Sequence, residues 1–219
     1  MRQAPVDWSE VDTVLLDMDG TLLDLRFDNW FWQSLVPQHY AAVNRISEDE
    51  ARTVLAPKFE VIAHTLPWYC IDYWTAELNL DIRALTRAHH EQIMYLPGAH
   101  GFLERLRATG KRVVLVTNSH PDLLVIKDEK VGFKRYFDAL YSTHDFDLPK
   151  EHAEFWPRLI GRESFTRERT LFVDDSLPVL KSARGFGIAH IRAVRKPESH
   201  RPPRTIEEFD GVDGVAELI

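Results

Sequence analysis

Two carboxylates end the first apolar run of the sequence. Asp17 and Asp19 follow residues 14–16, and Gly20 and Thr21 come directly after them. Side chains two residues apart in an extended segment point to the same side, so both carboxylates can face one site. Phosphoryl transfer needs a nucleophile, a proton donor for the leaving oxygen and neutralisation of the phosphate charge. The pair predicts one attacking carboxylate and one that moves a proton; the alternative is a polar turn after a strand.

Further polar groups follow other parts of the predicted core. Thr117 and Asn118 come after the apolar residues 113–116, where a hydroxyl and backbone N–H groups can hold a phosphate oxygen. A helix cap is the alternative explanation for this pair. Lys150 follows Leu148-Pro149, and its charge can offset that of a nucleophile and a phosphoryl group. A single lysine is otherwise a solvated surface residue.

Two adjacent carboxylates, Asp174 and Asp175, end the apolar run 169–173. Like charges this close to a core repel, and burying them unpaired costs free energy. A hard cation with oxygen ligands removes the repulsion, and Mg²⁺ suits carboxylates that share it with a phosphate. The alternative is a helix N-cap formed by Asp175 or Ser176, which is compatible with metal binding.

Alternating strands and helices must position these side chains. Short β-branched runs predict strands at 11–16, 112–116, 169–173 and 187–191, with a weaker one at 139–142. Proline, glycine and apolar spacing predict helices from about 97 to 110, 121 to 132, 151 to 160 and 176 to 184. This order implies an α/β fold with a parallel sheet, in which ligands bind at the carboxyl ends of the strands.

Residues 24–94 break the alternation, because they contain no convincing strand. Ser47 to Glu50 resembles a capping box at the start of a helix. The segment also carries many aromatic side chains, among them Trp30, Trp32, Trp68, Tyr69, Tyr73 and Trp74. We predict a helical insertion after the first strand that packs above the active edge of the sheet.

The composition limits the classes of partner that the chain is expected to bind. The chain has 219 residues, of which 44% are hydrophobic, and a formal net charge of -7. That charge argues against nucleic acid and anionic membrane as partners, since both favour a basic surface. Cys70 is the single cysteine, which fits a reducing compartment, and the start lacks the apolar run of a secretory signal. We therefore expect a cytoplasmic protein. The ten histidines show no metal-ligand spacing in the sequence.

Together these motifs resemble those of the haloacid dehalogenase-like hydrolase superfamily. The resemblance covers the whole chain and implies a Rossmann-like core domain of residues 1–23 plus 95–219, with a helical cap domain of residues 24–94. Further stretches, such as 27–29, 31–33, 68–70, 72–74 and 142–144, resemble bacterial nucleotidases of this superfamily that act on GMP and IMP. The implied activity is hydrolysis of a purine nucleoside 5′-monophosphate with Mg²⁺ as cofactor.

The resemblance also implies a role for each motif residue. Asp17 would be the nucleophile and a Mg²⁺ ligand, and Asp19 the general acid and base with its backbone carbonyl on the metal. Lys150 would steady the transferred group. Asp175 would be the principal acidic metal ligand of the last motif, with Asp174 beside it, and which of the two binds the metal directly is left open. The phosphate would be held by Thr117 and Asn118.

Specificity must come from the insertion, since the core recognises only phosphate. We take Phe27, Asn29 and Trp30 as candidate substrate contacts, because aromatic faces can stack on a base. Packing within the insertion is the alternative for most of these aromatic side chains. The competing functions are a sugar-phosphate phosphatase or phosphomutase of the same superfamily and a non-catalytic binding protein on this fold. The sequence leaves the oligomeric state open.

Overall fold

A parallel sheet forms the centre of the computed structural model, which describes residues 5–219 and leaves residues 1–4 of the predicted core domain outside. The sheet has six strands: β1 (Thr13–Leu16), β2 (Arg112–Thr117), β3 (Ala139–Ser142), β4 (Thr170–Asp174), β5 (His190–Val194) and β6 (Gly211–Val212). Their order is β3-β2-β1-β4-β5-β6, and every neighbouring pair is parallel. The predicted α/β fold with a parallel sheet is confirmed.

Nine α-helices lie within residues 5–219. They are α1 (Arg26–Trp30), α2 (Val36–Asn44), α3 (Glu48–Ile62), α4 (Ile71–Leu78), α5 (Ile82–His89), α6 (Ala99–Ala108), α7 (Pro121–Val131), α8 (Phe155–Arg162) and α9 (Leu177–Phe186). A π-helical turn, Phe31–Leu35, joins α1 to α2. None of the helices in this part of the chain combines the length and the apolar character needed to cross a membrane.

The segment 24–94, called the insertion below, contains α1 to α5 and no strand. A backbone bridge pairs Leu23 with Tyr95, so the chain leaves the sheet and returns to it at one point. The Ser47 side chain accepts the Glu50 backbone N–H while the Glu50 carboxylate accepts the Ser47 N–H, which is the predicted capping box at the start of α3. We propose that the insertion forms the helical cap domain.

Both faces of the sheet are covered, because successive side chains of each strand point to opposite sides. Leu16 and Val113 pack with the insertion, α6 and α7, whereas Leu15 and Phe172 pack with α8 and α9. The near-continuous burial of β1 and β2 follows from this two-sided cover. The arrangement leaves the carboxyl ends of the central strands facing the insertion.

The start of β5, the end of α9 and the start of α8 differ from the prediction, and one strand was not predicted, each for a local reason. Strand β5 begins at His190 because Gly187, at φ +99°, ends α9 and the Ile188 N–H still bonds to Ala183 of that helix. Helix α9 accordingly runs past residue 184. Helix α8 begins at Phe155 rather than near 151, which places Pro157, without a backbone N–H, in its first turn. Strand β6 was missed because two residues show no periodicity.

Candidate active site

A buried lysine lies between two carboxylates where β1, β2 and β4 end. The Lys150 ammonium donates to Asp17 Oδ1 at 2.6 Å, to Asp174 Oδ2 at 2.7 Å and to the Val116 carbonyl at 3.0 Å. Lys150 is 2% exposed and Asp174 is 1% exposed. Burial of a charged group this deep requires charged partners, and the two carboxylates supply them. The structure thus brings together three groups that the sequence placed in separate motifs.

The two adjacent carboxylates after β4 have different surroundings. Both oxygens of Asp174 are engaged, since Oδ1 accepts the Ser176 backbone N–H at 2.8 Å and Oδ2 accepts from Lys150. Asp175 Oδ2 has only a long contact, 3.5 Å to Arg204 Nη2. Gly20, at φ +85°, lets this carboxyl approach, because a Cβ at that position would lie 2.8 Å from Asp175 Cγ. Asp175 therefore has the freer carboxylate.

The charges of this cluster suit a bound cation. Burial raises the pKa of Asp17 well above its usual range, against the pull of Lys150 and with added repulsion from Asp174 and Asp175. Burial and the Asp174 charge raise the pKa of Asp175 to about 7. Ligand oxygens of the three carboxylates lie within 4.8 Å of one another. This all-oxygen, negatively charged set is what Mg²⁺ prefers, so the residues fit that ion.

The second carboxylate of the first motif is held by residues that the sequence analysis missed. The Lys127 ammonium, 1% exposed, donates to Asp19 Oδ1 at 2.7 Å and to Asp28 Oδ1 at 2.8 Å. Burial together with the Asp19 charge raises the pKa of Asp28 to about 6, although Lys127 opposes the shift. Lys127 follows Leu123 by four residues in α7, so the two share one face of that helix. This spacing was the feature of the sequence that could have indicated that Lys127 is buried.

Thr117 and Asn118 lie beside this cluster, at the end of β2. The Thr117 Oγ1 accepts the Ser119 backbone N–H at 3.1 Å, which leaves its hydroxyl proton free to donate. The Asn118 side chain is fully engaged, because Oδ1 accepts the Lys150 N–H at 2.9 Å and Nδ2 donates to Glu151 at 3.0 Å. Asn118 thereby fixes the backbone at Lys150.

One cavity of about 620 Å³ joins the carboxylate cluster to the insertion. Its far wall is aromatic and apolar, with a few polar side chains: Asn29, Trp32, Gln33, Pro37, Arg52, Leu55, Ala56, Phe59, Trp68, Ile71 and Trp74. Of the predicted substrate contacts in the insertion, Asn29 lies on the wall and donates to Glu198 at 2.7 Å. Phe27 and Trp30 are not among the lining residues, because they pack within the helical core.

The comparison with known proteins agrees with this geometry. The model of the haloacid dehalogenase-like hydrolases matches residues 11–187, which include the ends of β1, β2 and β4 that form the site. The chain belongs to this family. As a haloacid dehalogenase-like hydrolase, it carries its acidic motifs and lysine at the sheet edge where this fold binds ligands. The predicted family membership is confirmed.

Relatives of this hydrolase narrow its class. The chain is 44% identical over 214 residues to the GMP/IMP nucleotidase YrfG of Escherichia coli K12, covering 98% of this chain and 96% of the relative. A HAD phosphatase from Thermococcus onnurineus has the same fold, with a TM-score of 0.79, 21% identity and coverage of 95% and 96%. So does the HAD-hydrolase YfnB of Bacillus subtilis, described as bound to magnesium, with a TM-score of 0.63, 18% identity and the same coverage. The chain is an enzyme of the phosphoric monoester hydrolase type.

Proposed function

We propose that this hydrolase is a Mg²⁺-dependent phosphatase that converts GMP and IMP to nucleoside and phosphate through an aspartyl-phosphate on Asp17. The observation that carries the proposal is a continuous cavity that has Asp17 and Lys150 at one end and an aromatic wall at the other. A phosphate bound at the first end places the rest of its substrate along the second. The nearly full-length likeness to a GMP/IMP nucleotidase supports the same substrate class.

The proposed reaction uses two carboxylates in turn. The Asp17 carboxylate attacks phosphorus, and the bond between phosphorus and the 5′ oxygen breaks. Asp19 donates a proton to that leaving oxygen and then takes one from the water that hydrolyses the aspartyl-phosphate. Lys150 lies within hydrogen-bond distance of Asp17 and offsets charge as the phosphoryl group arrives. Each proton is thus returned within one turnover.

The cation and the phosphate would be held by separate groups. Asp17, the Asp19 backbone carbonyl and Asp175 would hold Mg²⁺, whose positive charge balances that of the phosphoryl oxygens. Asp174 orients Lys150 instead, since neither of its oxygens is free. The phosphate would accept from the Thr117 hydroxyl and from backbone N–H groups at Asn118, because the Asn118 side chain is engaged elsewhere.

The far wall of the cavity suits a purine better than a sugar. Trp32, Phe59, Trp68 and Trp74 pack with ring centroids 5.0 to 6.0 Å apart, edge to face except for the tilted pair of Trp32 and Trp74, and all four line the cavity. Stacking a base on such rings is worth about 1–3 kcal/mol. The side chains of Gln33 and Arg52 add donors for a 6-oxo group. A hexose would leave these apolar faces against hydroxyl groups.

Phosphate release from a matched panel tests this assignment. The panel contains GMP, IMP, AMP, a pyrimidine 5′-monophosphate and glucose 6-phosphate, each with Mg²⁺ and with a chelator. We expect the highest kcat/KM for GMP and IMP and no release with the chelator. A preference for glucose 6-phosphate would favour the sugar-phosphate phosphatase, and no release from any phosphomonoester would favour a binding protein.

Replacing Lys127 tests the proton-transfer role of Asp19. In Lys127→Met the Asp19 carboxylate loses its 2.7 Å contact, so we expect the rate with GMP to fall roughly 10- to 100-fold, a part of what acid–base catalysis supplies. The first turnover with p-nitrophenyl phosphate should change little, because that leaving group needs no proton. The measurement is the ratio of the burst rates with GMP and with p-nitrophenyl phosphate, compared between Lys127→Met and the unmodified chain.

The same helix offers the control for this substitution. Lys130 lies three residues further along α7 and pairs with Glu91 near the surface, so Lys130→Met should leave both rates unchanged. An equal loss with both substrates in Lys127→Met would mean that Lys127 only stabilises the fold. Lys127→Arg, which keeps the charge, should restore part of the rate with GMP.

A further inference from the structure

Three potential metal ligands meet outside the cavity. Cys70 lies before α4 in the insertion, His120 caps α7, and His144 lies in the turn that follows β3. One ligand atom of each lies within 4.8 Å of the others, although the three are far apart in the sequence. None of them lines the cavity or takes part in the proposed reaction. We call these three residues the Cys70 cluster.

The Cys70 cluster contains a buried nitrogen without a partner. Among residues 5–219, His144 Nε2 has no hydrogen-bond partner, and such a buried polar atom costs free energy. Burial and the neighbouring His120 lower the pKa of His144. An unpaired imidazole nitrogen close to a thiol and a second imidazole can act as a metal ligand. The cluster therefore explains the unpaired atom.

Two carboxylates complete the surroundings of His120. Its Nε2 lies 3.6 Å from Asp72 Oδ2, and its Nδ1 lies 3.8 Å from Asp122 Oδ2 while accepting the Asp122 N–H at 3.2 Å. A metal on Nε2 would require the ring proton on Nδ1, which would exchange the hydrogen bond accepted from the Asp122 N–H for one donated to the Asp122 carboxylate. Metal-bound histidines commonly have such a carboxylate on the second nitrogen.

We propose that Cys70, His120 and His144 bind a zinc ion. One sulfur and two imidazole nitrogens, with a water as the fourth ligand, form a set that suits Zn²⁺, whereas Mg²⁺ requires oxygen ligands throughout. The thiolate offsets one of the two charges of the ion, and the thiol proton leaves to solvent on binding. The site is thus chemically distinct from the carboxylate cluster at the end of β1.

The proposed zinc site lies at the junction between the insertion and the sheet. Cys70 belongs to the insertion, whereas His120 and His144 follow β2 and β3 of the sheet. The Tyr69 hydroxyl donates across the same junction to Glu151 at 2.6 Å. A zinc ion in the Cys70 cluster would link the insertion to the sheet through metal–ligand bonds. The wall of the cavity would then be fixed relative to its catalytic end.

Cobalt titration of the reduced, metal-free, full-length protein tests the proposal. Excess Mg²⁺ is present to occupy the all-oxygen site. We expect one equivalent of Co²⁺ to give a thiolate-to-cobalt charge-transfer band and the intense visible bands of tetrahedral Co²⁺, both removed by one equivalent of Zn²⁺. Cys70→Ser should lose the charge-transfer band, and His144→Gln should weaken binding at least roughly tenfold.

A surface histidine provides the matched control. His200 is exposed and lies outside the cluster, so His200→Gln should bind Co²⁺ like the unmodified chain. Absence of the charge-transfer band in the unmodified protein would overturn the proposal. So would a band that persists with unchanged affinity in His144→Gln. Circular dichroism of each variant verifies that the fold is retained before titration.

Discussion

Asp17→Asn is expected to lower phosphate release from GMP by about 10⁴-fold or more, because the amide cannot form the covalent intermediate. The substitution keeps the size of the side chain, and its oxygen can still accept from Lys150, which lies 2.6 Å from Asp17 Oδ1. Burial disfavours the charged form of Asp17, so removing the charge should not unfold the protein. We expect the free energy of unfolding to change by less than about 2 kcal/mol.

Steady-state kinetics and denaturant unfolding of the same preparation measure both quantities. Ser9→Ala serves as a control at the amino end of the sheet, away from the carboxylate cluster, since Ser9 is exposed and its hydroxyl donates to Asp7 within a short turn. It should retain full activity. Full activity in Asp17→Asn would rule out covalent catalysis by Asp17, whatever the substrate.

Lys150→Met is expected to damage both stability and turnover. The substitution leaves Asp17 and Asp174 buried without their shared cation, and breaking a buried ion pair costs about 3–5 kcal/mol. Turnover of GMP should fall roughly 10²- to 10³-fold, the size expected when a preorganised charge is lost from a dry site. Mg²⁺ should restore part of the stability, because it supplies positive charge to the same carboxylates.

The loss of stability should depend on pH. Burial raises the folded-state pKa of Asp17 and of Asp174, and loss of Lys150 raises both further. A carboxyl with a raised folded-state pKa favours folding while protonated, and this contribution disappears as the pH rises through that pKa. Lys150→Met should therefore be more destabilised at pH 8 than at pH 5 when Mg²⁺ is absent. The measurement is the free energy of unfolding at both pH values.

Replacing an exposed lysine separates the loss of stability in Lys150→Met from a general effect of removing a lysine charge. Lys181 is half-exposed and pairs with Glu208 at the surface, so Lys181→Met should change stability by less than about 1 kcal/mol at either pH. A loss in Lys150→Met that matched this control would contradict the role given to the buried ammonium. The comparison uses one assay and two lysines of the same chain.

The sheet edge was predictable because its signals are local. Asp17, Lys150 and Asp174 each follow a strand or a short loop, and a parallel sheet brings such ends together whatever the details of packing. The family resemblance alone favoured Asp175 over Asp174 as the metal ligand. The division of roles that we propose for the two carboxylates depends on the Ser176 N–H and on the approach allowed by Gly20, and both are three-dimensional contacts.

Contacts between distant segments could not be predicted from the sequence, for a different reason. Lys127 reaches Asp19 and Asp28 across a long sequence separation, and an isolated lysine gives no sign of burial. Cys70 and His144 likewise come from segments without metal-ligand spacing, yet the fold brings them together. Phe27 and Trp30 show the opposite case, in which aromatic side chains near the nucleophile pack inward. Long-range packing decides such positions, and periodicity does not encode it.

The most direct test of the proposed function is detection of the phosphorylated enzyme. The protein is mixed with GMP and Mg²⁺, quenched in acid within a single turnover, digested and analysed by mass spectrometry. The proposed mechanism predicts one phosphoryl group on the peptide that contains Asp17, with GMP and with IMP, and none on that peptide in Asp17→Asn. Phosphate release at the full rate without a phosphorylated peptide, or a phosphoryl group on another residue, would contradict it.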